Sequence, residues 1–227
     1  MTYWPKQKIL KSKTKPIIFV HIPKCAGSSV HYWMKKTFGK LNERLHSTIF
    51  QMEIFNLNIP SFTIIRNPFD RAFSWYKYRK QVLENQLKFQ PNNKKFLKEL
   101  DNWNLGFAKW IVEDFQKEWH GKETFDPSMK PRMFCCPQGN IVLPHAPMSD
   151  WIVDKNNNIP VNYVLRFENL HTEFQQIITF TNSPIKLKTK NVSKVKLPNY
   201  KDFYDSESKK IVQSCYQKDL DIFKYKF

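Results

Sequence analysis

The sequence predicts an α/β fold, with a central parallel sheet flanked by helices in a single domain. Three observations carry that expectation. The short β-branched run 16–22 is apolar and near-continuous rather than alternating, as a strand covered on both faces requires, and a second run, 61–65, interrupted by Ser61 and Thr63, also reads as a strand. Each passes through a tight turn straight into a segment of helical spacing. A third run, 161–165, repeats the pattern, and strand-helix alternation of this kind builds parallel sheets.

The elements follow in order. Residues 1–15 form a basic arm with Lys6, Lys8, Lys11, Lys13 and Lys15, and 16–227 form the domain. Pro16 to Ile22 reads as the central strand. After Pro23-Lys24-Cys25-Ala26-Gly27, Ser28 and Ser29 are N-cap residue types for a helix over 30–38, stopped by Gly39. Ser61 to Ile65 is a second strand, Arg66-Asn67 its turn, and Pro68 opens a helix that leads through Phe69 to Arg79. Helical spacing continues over 92–100 and 105–119. The Pro-rich stretch 120–150 is expected to be irregular and to line or cover a site. A strand at 161–165 precedes a helix over about 169–180, a basic loop spans 186–199, and a last helix covers about 206–218.

The chain has 227 residues, enough for one domain that buries roughly 70–75% of its unfolded surface. With 41% hydrophobic and 15% aromatic residues it is not a disordered chain. No apolar run approaches the ~20 residues of a membrane span, and the basic arm lacks the apolar core of a secretory signal. As written, the chain is expected in the cytoplasm. Cys25, Cys135, Cys136 and Cys215 form no C-x-x-C and read as reduced thiols, with no metal site. Thirty-seven Lys and Arg against 20 Asp and Glu give a net charge of +17, which implies an anionic partner without naming it.

Only five glycines are present, so G-x-G-x-x-G and Walker A loops are absent, as are H-E-x-x-H and G-x-S-x-G. The first candidate constellation is His21-Ile-Pro-Lys-Cys-Ala-Gly-Ser-Ser29, where a strand meets a helix. An anion there would meet helix-start N–H groups, two hydroxyls and the Lys24 ammonium. The second is Arg66-Asn-Pro-Phe-Asp-Arg-Ala-Phe-Ser-Trp-Tyr76, where a guanidinium fork and the Ser74 hydroxyl suit a phosphate monoester. Two phosphate groups fit a nucleotide phosphorylated at both ends.

These segments resemble the sulfotransferases that use 3′-phosphoadenosine 5′-phosphosulfate, in particular their membrane-type branch acting on carbohydrates such as heparan and chondroitin. His-x-Pro-Lys-x-x-Gly-Ser-Ser is similar to the family's 5′-phosphosulfate loop, with Cys25 and Ala26 where that branch often has Thr and Gly. The second segment is similar to its 3′-phosphate site. Tyr163-Val-Leu-Arg-Phe-Glu-Asn-Leu170 resembles its Phe-Glu-Asn-Leu strand end, with a structural role for Glu168, and Asp219-x-x-x-Phe223-x-Tyr225 resembles its ending.

The resemblance implies a P-loop-like fold and a donor held by Lys24, Cys25, Ala26, Gly27, Ser28, Ser29, Arg66 and Ser74, with Lys194 and Lys196 on a closing loop. It implies His46 as the general base, His145 and His21 being the next candidates, and Lys24 as the second catalytic group. An ordinary imidazole titrates near 6.5 and so accepts a proton at neutral pH. The acceptor is expected to be a hydroxyl of a glycan or glycolipid, with no metal and no nucleic acid, and with peripheral membrane contact compatible. The family's animal members sit in the Golgi lumen, the expected compartment if the chain is a piece of a longer protein. A kinase with an unorthodox phosphate loop and a basic nucleic-acid binder are the alternative readings.

Overall fold

The structure is a computed structural model that describes residues 14–39, 48–49, 59–115, 142, 144–156, 158–188 and 199–227. His46, Lys194, Lys196, Cys135 and Cys136 lie outside the described residues. The chain divides into two compact units, Met1–Arg66 with Arg132–Lys196, and Asn67–Pro131 with Leu197–Phe227.

The first unit is mixed α/β. Strands β1 (Ile18–Val20), β2 (Ser61–Ile65) and β3 (Tyr163–Arg166) form a parallel sheet in that order. Ile18 stands opposite Ser61 and Val20 opposite Thr63, while Phe62 stands opposite Tyr163 and Ile65 opposite Arg166. Among the described residues β2, not the 16–22 run, is therefore the middle strand. The two runs are buried alike, so apolar continuity reports coverage of both faces but not lateral position.

Helix α1 (Gly27–Phe38) shows why this sheet is covered. Val30, Trp33, Met34, Thr37 and Phe38 recur at helical spacing and are all buried. Trp33 meets Phe174 edge-on at 4.9 Å, Phe174 meets Phe62, and Phe62 stacks on Phe19 at 4.9 Å. Each fully buried phenylalanine contributes about 2–3 kcal/mol by leaving water. The indole N–H of Trp33 donates to the Ile185 carbonyl at 2.8 Å, so the polar end is satisfied too. A short helix, α5 (Met148–Ile152), and helices α6 (Leu170–Glu173) and α7 (Gln175–Thr181) complete the described part of this unit. The Pro-rich stretch, expected to be irregular, thus ends in helix: Pro147 stands at the cap of α5.

The second unit is helical. Asn67 caps α2 (Pro68–Phe89) by accepting from the Phe69 amide at 3.0 Å, and Pro68 sits in its first turn as expected. The helix runs ten residues past the expected Arg79. Nothing between Lys80 and Phe89 breaks a helix, and Pro91 is the next residue that must. Helix α3 (Lys94–Asn104), α4 (Phe107–Trp110), a π-helical turn (Ile111–Phe115), α8 (Ser206–Cys215) and α9 (Gln217–Phe223) surround an aromatic core. Tyr76 stacks on Trp103 and donates its hydroxyl to the Trp103 carbonyl at 2.6 Å. Burial and the neighbouring Tyr216, Tyr200 and Asp70 push the Tyr204 phenol well above its usual range, and it stays neutral to donate to the Phe69 carbonyl at 2.9 Å. Asp219 and Phe223 of the expected tail motif are buried.

Candidate active site

The loop after β1, the candidate anion site, is shaped by its backbone. Lys24 and Ala26 both adopt left-handed conformations, with φ of 68° and 59°. A residue with a Cβ pays roughly 1–2 kcal/mol for that, and such strain persists only where surroundings hold it. The Cys25 amide bonds back to the Ile22 carbonyl at 3.3 Å, and the Ala26 carbonyl accepts from Ser29 and Val30 at 3.0 and 3.2 Å. Helix α1 consequently starts at Gly27 with Ala26 at its cap and no side chain closing its end.

This corrects the expected start. Ser28 and Ser29 are not caps but lie in the first turn, because the left-handed Ala26 has already turned the chain into the helix. Ser28 is exposed and Ser29 buried. The first amides of an α-helix have no intrahelical acceptor, and Ala26 at the cap has no polar side chain to supply one. They face the direction in which the positive end of the helix dipole attracts an anion. Cys25 is fully buried, its Sγ 3.9 Å from Met148 Sδ on α5, so it can serve a cradle only through its backbone.

Arg66, at the end of β2, comes to the same loop. Its Nη1 donates to the Lys24 carbonyl at 3.1 Å, and its guanidinium lies 4.1 Å from the centre of the Phe167 ring. Its amide donates to Met148 Sδ at 3.3 Å. The ring contact and the hydrogen bond hold the guanidinium, and a fork with one edge on the protein can turn another toward an oxyanion. Phe167 and Met148 are site residues that the sequence reading missed. Phe167 stands inside the recognised Phe-Glu-Asn-Leu segment, but its partner lies 101 positions earlier.

Of the remaining expected residues, Gly27 begins α1 and is buried, and Ser74 lies half-buried on α2 in the second unit. Glu168 is exposed, next to the stacking Phe167. His145 is buried in the turn before α5, and His21 is buried beside His31. Among the described residues no cluster of His, Cys, Asp and Glu could hold a metal ion, and no helix is long and apolar enough to cross a membrane.

The first two strands of the parallel sheet thus end in the strained Lys24–Ala26 loop and in Arg66, which the 3.1 Å hydrogen bond brings together. The model of the Sulfotransferase family matches residues 7–226, nearly the whole chain, and the chain belongs to that family. It is a transferase of sulfuryl groups with a mixed α/β, P-loop-like fold. No curated protein and no solved structure gave a significant match.

Proposed function

We propose that the protein transfers a sulfuryl group from 3′-phosphoadenosine 5′-phosphosulfate to a hydroxyl on a carbohydrate, free or lipid-linked. The observation that carries this reading is the Arg66–Lys24 contact at 3.1 Å, since it brings the first residue of the second phosphate motif to the loop of the first. The uncapped start of α1 supports a phosphate there, and the net charge of +17 supports an acidic glycan as acceptor.

In this reading the acceptor oxygen attacks sulfur in line while the bond from sulfur to the bridging oxygen breaks. The acceptor proton passes to His46, and the products are a sulfate ester and adenosine 3′,5′-bisphosphate. Lys24 hydrogen-bonds the bridging oxygen as charge grows on it. The amides of the loop and of Gly27, with Ser28 and Ser29, hold the departing 5′-phosphate. Arg66 and Ser74 are assigned to the 3′-phosphate by the motif, and Lys194 and Lys196 to closure over the donor. The transition state is loose, so alignment and electrostatic stabilisation supply most of the rate.

Incubation with donor labelled in its sulfate, across a panel of glycans and glycolipids and in the presence of EDTA, tests the assignment. Label transfer that survives EDTA and vanishes with Lys24→Ala is expected. Transfer that needs a divalent metal, or none with any hydroxyl acceptor, contradicts it.

A further inference from the structure

Gly27 is helical, and its conformation does not demand glycine. Space does. A Cβ added at Gly27 would lie 1.8 Å from Nε2, 2.2 Å from Cε1 and 2.7 Å from Cδ2 of His21. The imidazole therefore occupies the volume in which residue 27 would carry its side chain.

That ring is not free to step aside. It stacks on Phe19 with centroids 5.2 Å apart and planes 18° from parallel, and it is only 9% exposed. Its Nδ1 lies 3.1 Å from Nε2 of His31, which stands one turn after Gly27 on α1 and itself meets the edge of Phe19. Just after β1, His21 thus grips the start of α1 at two points one turn apart, Gly27 and His31. The loop between these anchors contains both left-handed residues, Lys24 and Ala26. Strain of that kind requires external constraint, and the histidine clamp supplies it across the base of the loop.

We propose that His21, held by His31, is a positioning residue for the donor's 5′-phosphate: its imidazole fills the side-chain space of Gly27 and fixes the loop and the first turn of α1 in the anion-accepting conformation. The inference rests on the donor assignment above and extends it. An imidazole wedged in this way serves the loop, which removes His21 from the candidates for general base.

A double-variant cycle on the full chain tests it, reading adenosine 3′,5′-bisphosphate affinity by calorimetry and unfolding temperature in parallel. Losing one charged hydrogen bond to the 5′-phosphate costs about tenfold or more in affinity. Gly27→Ala and His21→Ala should therefore each weaken binding by about tenfold or more. The double variant should bind no worse than the weaker single one, because the new methyl enters the space the ring has left. His31→Gln, which keeps an N–H for His21, should bind within about threefold of wild type, and His31→Leu should lose about tenfold. In steady state the donor KM should rise in these variants with the acceptor KM unchanged.

Losses that multiply in the double variant, or a Gly27→Ala protein that binds like wild type, overturn the proposal. Should Gly27→Ala fail to fold, recovery of folding and binding in the double variant supports it, and failure of both overturns it. A wild type that binds no bisphosphate overturns the donor assignment instead. The two failures are told apart by the unfolding temperatures, where the rescue between positions 21 and 27 is read without ligand.

Discussion

Replacing Arg66 with lysine keeps the charge and removes the geometry. The guanidinium makes a charged hydrogen bond to the Lys24 carbonyl at 3.1 Å and stacks 4.1 Å from the centre of Phe167. A hydrogen bond to a charged group is worth about 1.5–3 kcal/mol, and a stacked cation about 0.5–1 kcal/mol where water has access. Arg66 is half-buried, so the lower ends apply. Both contacts are made before a phosphate arrives, so their sum, about 2 kcal/mol, is the preorganisation a lysine forgoes and the ceiling on the affinity lost. At 1.4 kcal/mol per tenfold, Arg66→Lys should weaken binding of the bisphosphate product by up to about 30-fold. Calorimetric titration of wild type and variant at one ionic strength measures this, with thermal unfolding as the control for folding. A variant that keeps its fold and binds within threefold of wild type would refute the claim that the fork and its stacking matter beyond charge.

Three further outcomes follow from the same geometry. Lys24→Ala should lower kcat by about 100-fold or more with a small change in donor affinity, because its ammonium acts on charge that develops in the transition state; equal kcat in single-turnover assays removes that role. Ala26→Gly should relieve the left-handed cost at φ 59°, partly offset by glycine's extra chain entropy, for a net gain of about 0.5–1 kcal/mol in urea unfolding, and a net loss would contradict it. Asp205 caps α8 in a reciprocal box with Ser208, and the Ser208 hydroxyl and amide lower its carboxyl below the ordinary 3.8. A depressed folded value means the stabilisation is present at neutral pH and is lost as pH falls through that value, so Asp205→Ala should cost about 1 kcal/mol at pH 7 and progressively less in acid.

What the sequence disclosed was local. Short β-branched runs followed by helical spacing located the described strands, and Asn67-Pro68 carried its own capping chemistry into the start of α2. The cap of α1 was misplaced because serines are good caps in general, whereas here the left-handed Ala26 has already entered the helix. Gly27 was legible as a member of the loop motif, but the reason for glycine there is the His21 ring, and nothing in a linear pattern says that a histidine six residues earlier folds back onto it. Phe167 and Met148 acquire meaning only through contacts 101 and 82 positions away. Position in the sheet was likewise hidden, since a middle and an outer strand covered on both faces have the same composition.

The most direct test of the central claim is a crystal structure with adenosine 3′,5′-bisphosphate. The 5′-phosphate is expected on the amides of Gly27 and Ser28 within reach of Lys24, and the 3′-phosphate on Arg66. A bisphosphate bound elsewhere, or one that touches the loop of α1 without reaching Arg66, would contradict the account.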